Sequence, residues 1–405
     1  MGMAAKNGEL GNKKATSKNA FFIGLLSFFG GVSQDIFVPI LPIYLANVLH
    51  FDKAFIGLSE GLVVASSSIF KIVAGFLSDR WGRRKPIIFI GYFLSMVARP
   101  LLAIVTSGVG ILALRFLDGV GKGVKDSPKD ALIADSTLQS SRGKSFGVVR
   151  ALDTLGSVAG PLILFVLLYL LANNSLKYEY IFLLSAVPLI FTLLILVIFV
   201  REAKFKKVHA TDLKFALSKK FYIFLGIFLV FSLGNSSDTF LILRAQNVGV
   251  TLLAIPLVYA LFNFFYAGAS IPLGSLSDKI GREKVILIGL FSYSIAYLGF
   301  GLANAAYQIW ILFALYGIYY ATTEGVAKAF VADMTPAEHR GKAYGIYNTA
   351  VGLSALPAGI IAGFLWDRFN PQMPFFFGSL MSLIAAVLLF AFVSYFKQWR
   401  VGVIH

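Results

Sequence analysis

The chain has 405 residues, 58% of them hydrophobic and only 14% charged, against roughly 25% charged in a soluble domain. No soluble fold of this size could hide so much apolar surface, whereas a bilayer accepts it as an apolar solvent. The formal charge of +16 reads as loop charge and not as a nucleic-acid footprint, and the absence of cysteine excludes disulfides and thiolate metal sites.

A polar start, 1–19, carries Lys6, Lys13, Lys14 and Lys18 and runs into the first long apolar stretch. No small-residue cleavage site follows a short apolar region, so this stretch reads as a spanning helix and not as a removed signal peptide. Apolar runs then recur at 20–48, 54–78, 86–106, 108–135, 143–172 and 178–200. A second set follows at 220–245, 250–277, 284–304, 307–333, 342–365 and 373–396. A spanning helix needs about 20 apolar residues, so twelve use roughly 240. The connecting loops alternate in charge. Arg80, Arg83, Arg84 and Lys85 follow the second run, Arg142 and Lys144 interrupt the chain after the fourth, and seven bases lie between 201 and 220. Lys279, Arg282 and Lys284, then Arg340 and Lys342, then Lys397 and Arg400 continue the pattern, while the opposite loops hold little beyond Lys53, Lys177 and Arg368. The positive-inside bias therefore predicts a multi-pass protein of the inner membrane with both termini in the cytoplasm.

The two halves repeat. Asp135, followed by Arg142, Gly143 and Lys144, matches Asp333, followed by Arg340, Gly341 and Lys342, at an offset of 198 residues. Gly75, Leu77, Ser78, Asp79, Arg80, Gly82 and Arg83 match Gly274, Leu276, Ser277, Asp278, Lys279, Gly281 and Arg282 at an offset of 199. Two matches at nearly one offset imply a duplicated six-helix unit. The expected organisation is a cytoplasmic tail 1–19, a bundle 20–202, a polar linker 203–218, a bundle 219–398 and a tail 399–405. Two parallel repeats around a site near the midplane is a known transporter plan.

The run from Gly75 through Asp79, Arg80, Gly82, Arg83, Arg84 and Lys85 resembles the signature loop between helices 2 and 3 of the major facilitator superfamily. A weaker copy stands at Asp278, Gly281 and Arg282. The resemblance covers essentially the whole chain. It implies an all-α integral membrane fold of twelve transmembrane helices in two pseudo-symmetric six-helix bundles. It also implies a gating role for the loop, with Asp79 and Arg83 locking helix ends; the competing reading is a plain cationic topology anchor. Arg115, Gly119 and Gly123 resemble the family's fourth-helix motif, a buried arginine linked to proton coupling. Gly156, Gly160 and Pro161 resemble the fifth-helix motif of proton-exchanging exporters, although Leu162 and Ile163 stand where that pattern continues with glycines. Close helix packing also accounts for glycines at this spacing.

The fourth run carries the densest chemistry. Arg115, Asp118, Lys122, Lys125, Asp126 and Lys129 are spaced by three and four, which on a helix makes one stripe. A charge at membrane depth costs from ~2.5 kcal/mol upward and persists when it faces a bundle interior or water, usually paired. Asp35, Glu60, Lys71, Arg99, Arg150 and Asp153 add charge to the first half, and Asp238, Arg244, Glu324 and Lys328 to the second. Asp35 and Asp238 follow similar serine-rich contexts, and Glu324 is the repeat counterpart of Asp126. A structural ion-pair network is the plain reading of any one of them; taken as a set they point to coupling.

The four histidines, His50, His209, His339 and His405, fall at helix ends, in loops or in the tail, so a carboxylate must carry any coupled proton. Asp35, Asp118, Asp126 and Asp153 are the candidates, with Glu60 behind them. The expected function is a secondary active transporter working by alternating access: a proton-coupled exporter of drug-like or amphipathic compounds, or alternatively an importer of a small polar or anionic solute. Aromatic residues such as Phe240, Phe262, Phe264, Phe265, Tyr266 and Tyr293 favour the first unless they face lipid. The bases of the fourth helix favour the second. No nucleophile–base pair, GxSxG elbow or P-loop is present, so an enzyme or an ATP-driven pump is not expected. The expected partners are a small-molecule substrate, protons or another coupling ion, and the bilayer. No nucleic acid, cofactor or metal is expected, and the chain should act as a monomer.

Overall fold

A computed structural model describes residues 2–137, 142–202, 217–336 and 339–401. The predicted linker 203–218 therefore lies outside the described residues except at its end, as do 402–405. The described chain is helical throughout, with no strand. A helix satisfies every backbone group within its own segment, which is what a segment in hydrocarbon requires.

The first apolar run forms α1 (Gly2–Phe37) and α2 (Leu41–Asn47), broken at a turn that contains Pro39. Then come α3 (Lys53–Trp81), α4 (Lys85–Leu101), α5 (Gly108–Asp135) and α6 (Arg142–Leu170). The sixth run is split into α7 (Lys177–Ser185) and α8 (Val187–Ile198) at Ala186, where Pro188 cannot donate to the preceding turn. The seventh is split into α9 (Lys219–Gly234) and α10 (Asp238–Asn247); the Ser237 hydroxyl caps the restart by accepting from Thr239 N. The rest are α11 (Ile255–Ile280), α12 (Arg282–Leu302), α13 (Ala306–Asp333), α14 (Arg340–Arg368) and α15 (Met373–Val401). Every predicted apolar run thus becomes one helical passage.

Among the described residues, nine passages are long and apolar enough to cross a bilayer by composition alone. The other three have readable reasons for falling short. Helix α4 has 17 residues, α5 carries the charged stripe, and α13 is diluted by tyrosines and threonines.

The chain divides into two compact units. Unit 1 comprises 1–40 and 66–209; unit 2 comprises 41–65 and 210–405. Within unit 1, α1 lies along α6, α4 along α5, and α8 against α1 and α4. Its apolar core includes Ile23, Leu26, Ile88, Tyr92, Leu132, Ile133 and Leu189. The α1–α6 contact is made by small residues. A Cβ on Gly156 would sit 3.1 Å from Phe28 Cα, and one on Gly160 would sit 2.9 Å from both Val32 O and Asp35 Cβ. Leu155, Val166 and Tyr169 on the other side of α6 are exposed, as expected of a surface covered by lipid.

Within unit 2, α11 and α12 pack on α13, while α15 packs on α9 and α12. Its centre is aromatic: Tyr293 and Tyr297 stack with ring centroids 4.0 Å apart, and Tyr319 meets Tyr293 edge-on at 4.7 Å. Ser294 and Ser379 exchange hydrogen bonds between α12 and α15, and Ser382 donates to Leu290 O. The 53–65 part of α3 belongs to this unit and lies close to α14. A Cβ on Gly61 would fall 2.7 Å from Leu356 Cα, and Asp367 accepts from Ala54 N at 2.9 Å.

Candidate functional site

Helix α5 places its charged stripe on one face, as the spacing predicts. Asp118 is the most enclosed carboxylate, with a side chain only 2% exposed, and three bases converge on it. Arg99 Nε reaches Oδ1 at 3.2 Å, while Lys122 Nζ and Arg115 Nη1 approach Oδ2 at 3.5 and 3.6 Å. The Phe37 ring lies beneath both guanidiniums at 5.5–5.6 Å. Arg99 also donates to Ser33 Oγ at 2.7 Å, and Ser33 in turn donates to Ser185 O. Leu189 N bonds Ala186 O, so the break between α7 and α8 leaves the Ser185 carbonyl available for that serine.

Asp35, on α1, lies beside this cluster and is 6% exposed. The Ser157 hydroxyl of α6 lies beside it, and Asp153, Lys122 and Arg99 make up its charged surroundings. Among the described residues no ion pair within 4 Å includes Asp35. The stripe continues to Asp126, which pairs with Lys125 at 3.5 Å and Lys71 at 3.6 Å. The ammonium of Lys125 also sits 4.8 Å from the centre of the Tyr92 ring. Arg150 and Asp153 pair at 3.7 Å in a more open position. Unit 1 thus brings Asp35, Arg115, Asp118, Lys122, Asp126 and Asp153 into one charged band, with Arg99 as a member the spacing could not reveal.

Within the signature loop, Arg84 is the arginine that makes the internal contacts. Arg84 is buried while Asp79, Arg80 and Arg83 are exposed. Its guanidinium bonds Asp79, Ser78 and, at 3.3 Å, Asp135. The two oxygens of Glu202 accept from Arg84 N and Lys85 N at 2.8 and 3.0 Å, filling the positive end of α4. Gly82 has φ 65°, a conformation open to glycine at little cost. Unit 2 repeats the arrangement: Arg282 reaches Asp278 at 3.5 Å and Asp333 at 3.0 Å, after Gly281 with φ 101°. The geometric counterpart of Arg282 is therefore Arg84, at the same offset as Asp135 and Asp333.

Unit 2 holds its acidic groups among tyrosines. Asp238 starts α10 and accepts from Tyr316 Oη at 2.8 Å. The hydroxyls of Tyr320 and Tyr259 lie near it, and Glu60 is its acidic neighbour. On α13, Glu324 accepts from the Tyr266 hydroxyl and pairs with Lys328 at 3.4 Å. Arg244 points elsewhere: it donates to the carbonyls of Phe300, Gly301 and Ala303, closing the end of α12. The predicted aromatic group divides, because Phe240, Phe262 and Tyr293 are buried whereas Phe264 and Phe265 are exposed.

A cavity of about 220 Å³ opens beside Glu324, lined by aromatic residues of α9, α13 and α14 with Asn235 and Asn348. Phe228, Phe231, Tyr319, Tyr320 and Tyr347 were not among the residues expected at a site. The tyrosine-rich run 316–320 was the signal for Tyr319 and Tyr320. Among the described residues no group of three His, Cys, Asp or Glu side chains is placed to hold a metal ion.

The chain is 37% identical to an uncharacterized MFS-type transporter of Methanocaldococcus jannaschii over 394 residues, covering 95% of this chain and 96% of that one. It is 25% identical to the multi-drug resistance efflux pump PmrA of Streptococcus pneumoniae over 326 residues, covering 76% and 79%. Among solved structures, the nucleoside transporter NupG superposes with a TM-score of 0.73, covering 93% of this chain and 99% of that one at 14% identity, a likeness of fold alone. The family model described as Major Facilitator Superfamily matches residues 23–244 and 223–403. With two helical units, a repeated signature loop and a match over nearly its whole length, the chain belongs to the Major Facilitator Superfamily of multi-pass membrane transporters.

Proposed function

We propose that the protein is a proton-coupled exporter of amphipathic, drug-like compounds, resident in the inner membrane with both termini in the cytoplasm. Asp35 is its proton-carrying group. The observation that carries this reading is the contrast between Asp35 and Asp118. Three bases contact Asp118, whereas Asp35 is buried beside the Ser157 hydroxyl with no base within ion-pair distance among the described residues. A carboxylate without a close basic partner is the one whose proton is cheapest to add and remove. Lys122 and Arg99 lie near enough for a substrate to change its surroundings. The α1–α6 seam at Gly156 and Gly160, together with the resemblance to a pneumococcal efflux pump, supports the outward direction.

The test is proton-driven uptake of a cationic dye into everted vesicles. Uptake should collapse with the pH gradient, and Asp35→Asn should abolish it while leaving protein in the membrane. Gradient-driven uptake that persists in Asp35→Asn would remove the assignment. An importer of an anionic solute is the second reading, favoured by the bases around Asp118. It predicts accumulation in right-side-out vesicles and none in everted ones.

A further inference from the structure

We propose that the cavity between α9, α13 and α14 binds a flat organic monocation. Its rings lie against Phe228, Phe231, Tyr320 and Tyr347, and its charged nitrogen takes the place of Lys328 on Glu324. This deepens the export reading and rests on it, because it names the chemical class that the site accepts.

Size, walls and charge each support the assignment. The space is about 220 Å³, enough for a two-ring compound. Its aromatic walls offer ring faces, which attract cations through their quadrupole and bind flat apolar bodies by stacking. The carboxylate at its mouth is held in place by the Tyr266 hydroxyl. Lys328 meets it at 3.4 Å, yet the two side chains are 46% and 39% exposed. An ion pair that wet is weakly held, so an arriving cation can displace the lysine without leaving a buried charge bare.

The surroundings tilt the balance further toward a cation. Asp238 accepts from the Tyr316 hydroxyl, with Glu60 as its charged neighbour, and Tyr320, which lines the cavity, has both Asp238 and Glu324 in its electrostatic surroundings. Arg244 does not line the cavity, and its guanidinium is taken up by backbone carbonyls and Asn247. Among the residues that line the cavity, Lys328 is the base, and its open pairing with Glu324 makes it replaceable.

The experiment measures equilibrium binding to the purified full-length protein in detergent, with no pH gradient. Three probes share one two-ring shape: N-methylquinolinium, neutral 1-methylnaphthalene and anionic 1-naphthoate. The cation should bind at least about tenfold more tightly than either of the others. Glu324→Gln should weaken the cation about tenfold and leave the neutral probe unchanged. Lys328→Gln should tighten the cation about threefold by removing its competitor. Tyr347→Leu should weaken cation and neutral probe together, and Tyr347→Phe should restore both. Thermal unfolding of each variant separates lost binding from lost folding.

Tighter binding of naphthoate, lost in Lys328→Gln, would overturn the proposal in favour of an anion site. Equal binding of cation and neutral probe, or binding of neither, would overturn it as well. Intact cation binding in a protein that shows no proton-driven flux would defeat the export reading alone. Flux of other solutes without cation binding would defeat this inference alone.

Discussion

Replacing Asp118 with asparagine would leave Arg99, Arg115 and Lys122 facing one another without the carboxylate they share. The contacts are unequal. Arg99 makes a charge-assisted hydrogen bond at 3.2 Å, whereas Arg115 and Lys122 sit at 3.6 and 3.5 Å and contribute mainly charge. Both Arg99 and Asp118 are 2% exposed, so water cannot rescue the orphaned guanidinium. Removing one partner of such a buried pair costs about 3–5 kcal/mol, a large share of the ~5–15 kcal/mol that holds a folded chain together. Asp118→Asn should therefore lower the unfolding temperature sharply and reduce the yield of monodisperse protein. Arg99→Gln in the same chain should recover part of the loss, since it removes the base with the closest claim on the carboxylate. Thermal unfolding of wild type, both single variants and the double variant in one detergent measures the coupling. Independent, additive effects of the two changes, or an Asp118→Asn protein as stable as wild type, would refute the account of the cluster.

The remaining expectations concern other parts of the two units. Gly160→Ala should destabilise unit 1 by about 1–3 kcal/mol, because the new methyl would fall 2.9 Å from Val32 O and Asp35 Cβ; thermal unfolding reads it, and Gly226→Ala, where nothing lies within 4 Å, is the matched control. Arg84→Ala should cost about 2–4 kcal/mol through its lost charged hydrogen bonds, while Arg83→Ala at an exposed position should stay within about 0.5 kcal/mol; similar losses would place the signature loop's arginine wrongly. Arg244→Met should loosen the end of α12 by removing donors to three carbonyls, seen as faster amide exchange at 300–305 with little change elsewhere.

The fold was largely legible because period and polarity are strong signals in a membrane chain. Every apolar run became a passage, and the stripe of α5 emerged from its three- and four-residue spacing. The break at Ala186 was not legible, since it lies inside a continuous apolar stretch and depends on where one proline falls, whereas Gly234, Asn235, Ser236, Ser237 and Asp238 carried a stop and cap signal that a single apolar run over 220–245 passed over. The choice between Arg83 and Arg84 was beyond the motif. Adjacent residues at a helix start point about 100° apart, and only the position of Asp135 decides which one turns inward. The tyrosine cluster was hidden for a different reason. Aromatic residues are as welcome against lipid as in a core, so composition alone could not separate exposed Phe264 from buried Phe262.

The kink at Pro188 reaches further than its own helix. By denying the Ser185 carbonyl its usual intrahelical donor, it supplies the acceptor that fixes the Ser33 hydroxyl, and that hydroxyl in turn aims the Arg99 fork at Asp118. A residue carrying no charge thereby sets the alignment of the charged band from one end of a three-link relay. Straightening the helix with Pro188→Ala would let the regular ladder reclaim that oxygen, and the arginine would lose its aim although none of its own atoms had been altered.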